Sequence, residues 1–368
     1  MTLLWELVAA PLVLSAAVGL GARRCASAMS GRVALRMLAV AAVACAAATG
    51  FALTVGTLFV LARSPLVAAV GDWSIRALPR VPLPWQSALG GAGLITGLLG
   101  LAARQTARAV RQLRLAHRTS RELDGTSTGA GTGSGRPGWT LLQDDRPDAY
   151  AIPGRPGRVV VSTGMLTALT PAEHDVLLAH EQSHLRHHHH LWIQMCWVAA
   201  AANPLLRRLP AAAHLAAERE ADEDSGRPHP DRALVAGAVA HAALARGRGR
   251  TAVPASPLLG AAGSDVVLRV RLLVHPPSRW RARATSALVI ATTGAVLAAA
   301  GAGAHLTEQR FEQARPQTPQ HRPAQHRPAV ADPVTAAQLD DPHPGAQQRL
   351  SIDFSKLSGL GGMASKLL

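Results

Sequence analysis

The sequence predicts a mainly α-helical membrane protein with four transmembrane helices and a cytoplasmic α+β domain between the third and fourth. Three observations carry this. Apolar residues make up 48% of the 368-residue chain but aromatic residues only 3%, a balance that suits Ala- and Leu-rich spans better than an aromatic soluble core. Four stretches are nearly free of charge and long enough for a bilayer core, which takes about 20 apolar residues: Leu3 to Ala22, Met37 to Ala62, Leu83 to Ala103 and Thr285 to Ala304. Between the third and fourth stretches, strand, turn and capping signals appear, among them His180-Glu181-Gln182-Ser183-His184.

The first stretch contains Glu6, lacks a basic start and is followed by Arg23 and Arg24, so it is expected to be a retained span and not a cleaved leader. Arginine then sets the orientation. The first loop holds Arg23, Arg24 and Arg32, with Arg36 at the next span's edge. Arg104, Arg108, Arg111, Arg114, Arg118 and Arg121 follow the third span, and Arg269, Arg271, Arg279, Arg281 and Arg283 precede the fourth. The loop from Arg63 to Pro82 is the least basic. One topology satisfies this pattern: amino terminus outside, residues 104–284 in the cytoplasm, carboxy-terminal tail outside. The net charge of +15 is thereby assigned to anionic lipid headgroups at the span ends. Neither a nucleic-acid motif nor an aromatic platform accompanies it, so a lipid bilayer is the expected partner and nucleic acid is not. Cys25, Cys45 and Cys196 have no ligand spacing and indicate no disulfide framework.

After the three spans of residues 1–103, residues 104–138 are expected to form a basic helix and a Gly/Ser/Thr linker, Gly125 to Gly138. The domain covers 139–284. Strands are expected at Trp139 to Leu142, Ala149 to Ile152 and Arg158 to Ser162, the last two joined as a hairpin through Pro153-Gly154-Arg155-Pro156-Gly157. Thr170-Pro171-Ala172-Glu173 is a capping box with proline at the first helical position, starting the helix that carries His180. Leu191 to Leu206 is too short for a span and reads as a buried or interfacial return helix. Further helices are expected between Pro210 and Gly226, over Asp231 to Ala245 (with His241 as a packing residue) and over Ser264 to Val274. The fourth span covers 285–304. Residues 305–368, rich in Pro, Gln, His and Arg, are expected to be a disordered extracytoplasmic tail. His187 to His190 read as solvated helix-end imidazoles.

Two histidines four apart on a helix share a face, so His180 and His184 can reach one metal ion while Glu181 points at its open position as a general base. A tetrahedral site needs a third ligand. In Ala216-Ala217-Glu218-Arg219-Glu220-Ala221-Asp222, Glu218 and Asp222 share a helix face. Glu218 is the expected ligand and Asp222 the acceptor for a ligand histidine's outer N–H. Glu220 points elsewhere, and a solvated acidic face is the plainer alternative for the cluster.

With these motifs in place, the chain resembles the BlaR/MecR-type membrane metallopeptidases, relatives of the HtpX and CAAX-prenyl-protease group within the gluzincins. The matching residues are Asp148 to Gly154, Val159 to Leu166, Leu178 to Leu185 and Glu218 to Asp222. The resemblance implies a zincin-like (gluzincin) domain with one Zn2+ held by His180, His184 and Glu218, and Glu181 as the base. It implies a sheet edge on which a substrate peptide lies, formed by part of Tyr150, Ala151 and Ile152 or of the strand containing Val159 and Val160. Arg269, in Arg269-Val270-Arg271-Leu272-Leu273, matches weakly a basic residue that stabilises the tetrahedral intermediate. The chain departs from BlaR/MecR receptors after the last span, where the remaining residues are of low complexity and carry no Ser-x-x-Lys motif.

The expectation is therefore an integral membrane, zinc-dependent metalloendopeptidase. It would cleave a protein or peptide substrate, a cytoplasmic regulator or a membrane protein, at the cytoplasmic face. The alternatives are an HtpX-like protease of membrane-protein quality control and a catalytically silent membrane scaffold.

Overall fold

The computed structural model describes residues 2–71, 73–76, 78, 84–122, 139–155, 157–228, 231–249 and 257–314. The expected linker, Gly125 to Gly138, and the tail from 315 onward lie outside these residues. Ala- and Leu-rich runs form four long helices: α1 (Thr2–Ala28), α2 (Gly31–Leu61), α4 (Ser87–Glu122) and α11 (Arg279–Ala314), with a short α3 (Pro65–Gly71) between α2 and α4. Among the described residues α2, α4 and α11 are long and apolar enough to cross a membrane. Leu89, Leu94 and Leu99 on α4 and Leu288, Ile290 and Leu297 on α11 stay exposed, the condition of side chains that meet lipid. In α4 the apolar stretch and the arginine-rich stretch after it form one unbroken helix.

The expected tail needs correction at its start. Residues 305–314 continue α11 as helix. Phe311 packs edge-on against Phe59 and Trp73, with ring centroids 6.0 and 5.5 Å away, and the carbonyl of Ala314 accepts the Ser74 N–H at 3.1 Å. Burying an aromatic ring there outweighs the polar composition that suggested disorder.

The middle of the chain builds a three-stranded sheet from β1 (Trp139–Leu142), β2 (Ala149–Ile152) and β3 (Arg158–Ser162), in the order β1-β3-β2. β2 and β3 form the antiparallel hairpin, and β1 runs parallel to β3. β3 is buried along its whole length, with Val159 and Val161 packed against Met165, Leu177 and Ala242. Seven helices complete the region: α5 (Thr163–Ala168), α6 (Pro171–Arg186), α7 (His189–Ala202), α8 (Leu209–Ser225), α9 (Arg232–Gly249), α10 (Pro257–Val274) and the first turns of α11. α6 opens on the capping box, Thr170 and Glu173 each satisfying the other's backbone N–H. His241 does more than pack: its Nδ1 lies 2.5 Å from Glu173 Oε1 and pins the box to α9.

α8 is the hub. Its apolar face, including Ala213 and Ala216, shares one core with Ala26 of α1, Leu38 and Cys45 of α2, Cys196 of α7 and Val296 of α11. Small side chains let the backbones approach closely. A Cβ on Gly31 would sit 2.2 Å from the Glu220 backbone nitrogen, so only glycine fits where α2 starts against α8.

Candidate metal centre

The capped helix α6 carries His180 and His184 one turn apart, and their Nε2 atoms lie 3.2 Å from one another. α8 brings Glu218 between them: one carboxylate oxygen is 3.5 Å from His180 Nε2 and the other 3.5 Å from His184 Nε2. A tetrahedral zinc ion with bonds of about 2.0–2.2 Å separates its ligand atoms by about 3.3–3.6 Å. The two histidine nitrogens lie at or near that separation from one another and from the Glu218 carboxylate, each through a different oxygen, and one ligand atom from each residue falls within 4.8 Å of the others, close enough to converge on one ion.

The outer nitrogen of each ring also has a neighbour. His180 Nδ1 is 3.0 Å from Asp222 Oδ1, and His184 Nδ1 is 2.8 Å from His189 Nδ1. Both neighbours lie on the side of the ring away from the shared point, so each Nε2 faces it.

Charge in the set also fits a cation. Burial works against the ionised Glu218 carboxyl, but the Arg269 guanidinium and the two imidazoles hold it well below the usual carboxylate range. Burial pushes His184 down to about 3, which keeps its ring neutral and able to donate a lone pair. Burial also opposes charge on His180, yet the Asp222 and Glu218 carboxylates raise it to about 9. The buried Asp222 and the half-buried Glu218 carboxylates thus draw positive charge onto the ring that faces them both.

Glu181 is buried beside this triangle, and burial raises its carboxyl above the ordinary value against the pull of His180 and Arg246. Arg246, near the end of α9, sits 3.2 Å from Glu181 Oε1 and donates to the Ala149 carbonyl at 2.7 Å. It thereby ties the candidate base to β2. Nothing local distinguishes Arg246 within its basic run, so sequence reasoning missed it.

Two expectations change. β3 pairs on both sides, with β1 and with β2, so Val159 and Val160 cannot offer a free edge. Its unbroken apolar run marks a strand buried on both faces. The edge belongs to β2. Asp148 and Ser162 bond across the hairpin, so the alternation turns the backbone groups of Ala149 and Ala151 outward, beside the exposed Tyr150 and ahead of Ile152. Arg269 reaches the site, but its donors are engaged: Nη1 is 2.8 Å from Glu218, while Nε and Nη2 contact both oxygens of Asp222 at 2.8 and 2.6 Å. A side chain so bound orients the carboxylates, a different task from facing an oxyanion.

The expectation of solvated imidazoles at 187–190 also fails for two of the four. His188 adopts left-handed geometry (φ 50°), which reverses the chain between α6 and α7 and folds His189 back into the interior. His189 Nε2 then lies 3.2 Å from Glu220, whose other oxygen meets Arg32 Nε at 2.8 Å. His187 Nε2 lies 2.6 Å from Asp224. His187, Glu220 and Asp224 come within metal-ligand reach of one another, but Arg32 already supplies the cation, its Nη2 3.1 Å from His187 Nε2.

Residues 121–289 match the family model of peptidase family M48. The matched stretch includes all three strands, His180 and His184 of α6, the acidic run of α8 and Arg269. No curated protein and no solved structure matches the chain. Over this stretch the chain is similar to the metallopeptidases of family M48, a family of zinc enzymes; the match does not reach the BlaR/MecR type.

Proposed function

We propose that the chain is an integral membrane zinc metalloendopeptidase that hydrolyses peptide bonds of a protein substrate at the cytoplasmic membrane face. The observation that carries the reading is the convergence of His180, His184 and Glu218 within reach of one metal ion, with the buried carboxyl of Glu181 beside it. When bound there, zinc supplies a Lewis acid that polarises a carbonyl and makes water more acidic. Glu181 takes the proton of the attacking water and passes it to the leaving amine, a task suited to a carboxyl raised by burial. Arg246 holds Glu181 and the start of the edge strand in one frame. The substrate lies extended along β2, with Ala151 offering backbone hydrogen bonds, while the Ala149 N–H and carbonyl are already engaged by Asp148 and Arg246. Asp222 fixes His180, and Arg269 fixes Asp222 and Glu218. The chain crosses the membrane four times, through α1, α2, α4 and α11, with the metal centre inside.

Purified Glu181→Gln protein is expected to keep stoichiometric zinc and lose peptide hydrolysis by at least about a hundredfold, whereas His180→Ala is expected to lose the metal as well. Hydrolysis retained by Glu181→Gln overturns the assignment. Cytoplasmic proteomics of wild type against the Glu181→Gln strain then identifies the substrate. One lost terminus marks regulatory proteolysis of a specific target; many lost termini from membrane proteins mark quality control.

A further inference from the structure

Behind the metal centre, where α2 and α11 begin, a cavity of about 830 Å³ opens to the surface. Five arginines line it against two carboxylates, and both carboxylates are already committed. Asp222 is held by Arg269, and Glu223 by Arg219 and the Gly31 N–H. Among the described residues Arg279 and Arg283 form no ion pair or hydrogen bond, although they stand one turn apart on α11 and face the same cavity. The face they share continues into Ala287 and Ile290, so within three turns it changes from cationic to apolar. Val33 of α2 lies across the cavity, and it and Ile290 remain 40% and 64% exposed. Trp280, 75% exposed beside Arg279, is of the residue type enriched at membrane interfaces.

Unpaired guanidinium groups leading directly into an apolar groove at the end of two candidate spans complement one kind of molecule, an anion with a hydrocarbon tail. We propose that this cavity binds an anionic phospholipid, its phosphate between Arg279 and Arg283 and an acyl chain along Val33 and Ile290. Free phosphate would use the arginines but leave the groove unfilled. The proposal needs the membrane but not the peptidase reading, so either can fail alone.

The test uses the full-length protein in nanodiscs of equal parts phosphatidylglycerol and phosphatidylcholine, with retained lipid counted by native mass spectrometry. Wild type is expected to retain phosphatidylglycerol preferentially. Arg279→Ala/Arg283→Ala is expected to weaken that preference by about thirtyfold, as loss of two interfacial arginines implies. Arg271→Ala/Arg281→Ala removes the same charge away from the cavity and is expected to keep the preference. Ile290→Trp fills the groove, leaves both arginines and is expected to lower retention. Equal losses in the two arginine doubles, or unchanged retention in Ile290→Trp, overturn the proposal. So does thermal stabilisation by inorganic phosphate with no preference between the lipids.

Discussion

At the residue scale, the position of His189 matters most beyond the proposed metal ligands. A ligand imidazole works only when its outer nitrogen has a partner that sets its tautomer. For the proposed ligands the neighbour is Asp222 at His180 and His189 at His184. His189 is in turn oriented by Glu220, itself bridged to Arg32 at the start of α2. Replacing His189 by Ala is expected to weaken zinc binding by about 10–100-fold, read by competition with a chromophoric chelator, and to broaden the visible spectrum of the cobalt-substituted protein. Unchanged affinity and spectrum would mean that His184 needs no such support. That His180, His184, Glu218 and Asp222 come together was legible in the sequence, because each pair is four apart on a helix whose start is signalled locally. His189 was not, because its inward turn depends on the left-handed backbone of His188, a conformation with no strong sequence mark outside Gly, Asn and Asp.

At the element scale, α8 explains how one short acidic run serves three neighbours. Six of the seven residues from 218 to 224, all but Ala221, fall into three pairs four apart, each pair on its own face. Glu218 and Asp222 face the histidines of α6. Glu220 and Asp224 face His189, His187 and Arg32. Arg219 and Glu223 face the α1–α2 turn: Arg219 donates to the carbonyls of Ala26 and Met29 near the end of α1, and Glu223 accepts the Gly31 N–H at the start of α2. Cation at a helix end and anion at a helix start each oppose the local dipole charge. Gly31→Ala, which forces a Cβ into the α8 backbone, is expected to lower stability by about 2 kcal/mol or more, measured as thermal unfolding in detergent. Burial opposes the charge on Glu220, but His189 and Arg32 hold its carboxyl down to about 2. A depressed carboxylate stabilises the fold above its ordinary pKa, and that contribution fades as the pH falls from about 4.5 toward about 2. Glu220→Gln is therefore expected to melt lower than wild type at pH 7, with the gap closing toward pH 2. A constant gap would assign the loss to packing. The hairpin and the helix order were also readable from turn and capping residues, but strand order was not: which neighbour takes the second side of β3 depends on the non-local pairing with β1.

At the scale of the whole molecule, the two ends of the long helices differ in chemistry. At one end stand the start of α2, the start of α11 with Arg279, Trp280 and Arg283, and the metal centre on α6 and α8. At the other, the end of α2 and the end of α11 close over Phe59, Trp73, Leu78 and Phe311. α2 alone, at 31 residues and about 1.5 Å per residue, is long enough to separate the two ends by a full bilayer. If the arginine-rich end is cytoplasmic, a cysteine at Gln86, exposed beside the aromatic end, reacts with a membrane-impermeant maleimide in intact cells. A cysteine at Arg155, in the exposed turn of the hairpin, reacts only after permeabilisation. Cys45 and Cys196 are buried and stay silent, so Cys25→Ser provides the background. The reverse labelling pattern would place the metal centre outside the cell and remove every cytoplasmic protein from its possible substrates, while labelling of both cysteines in intact cells would deny that the long helices separate two compartments at all.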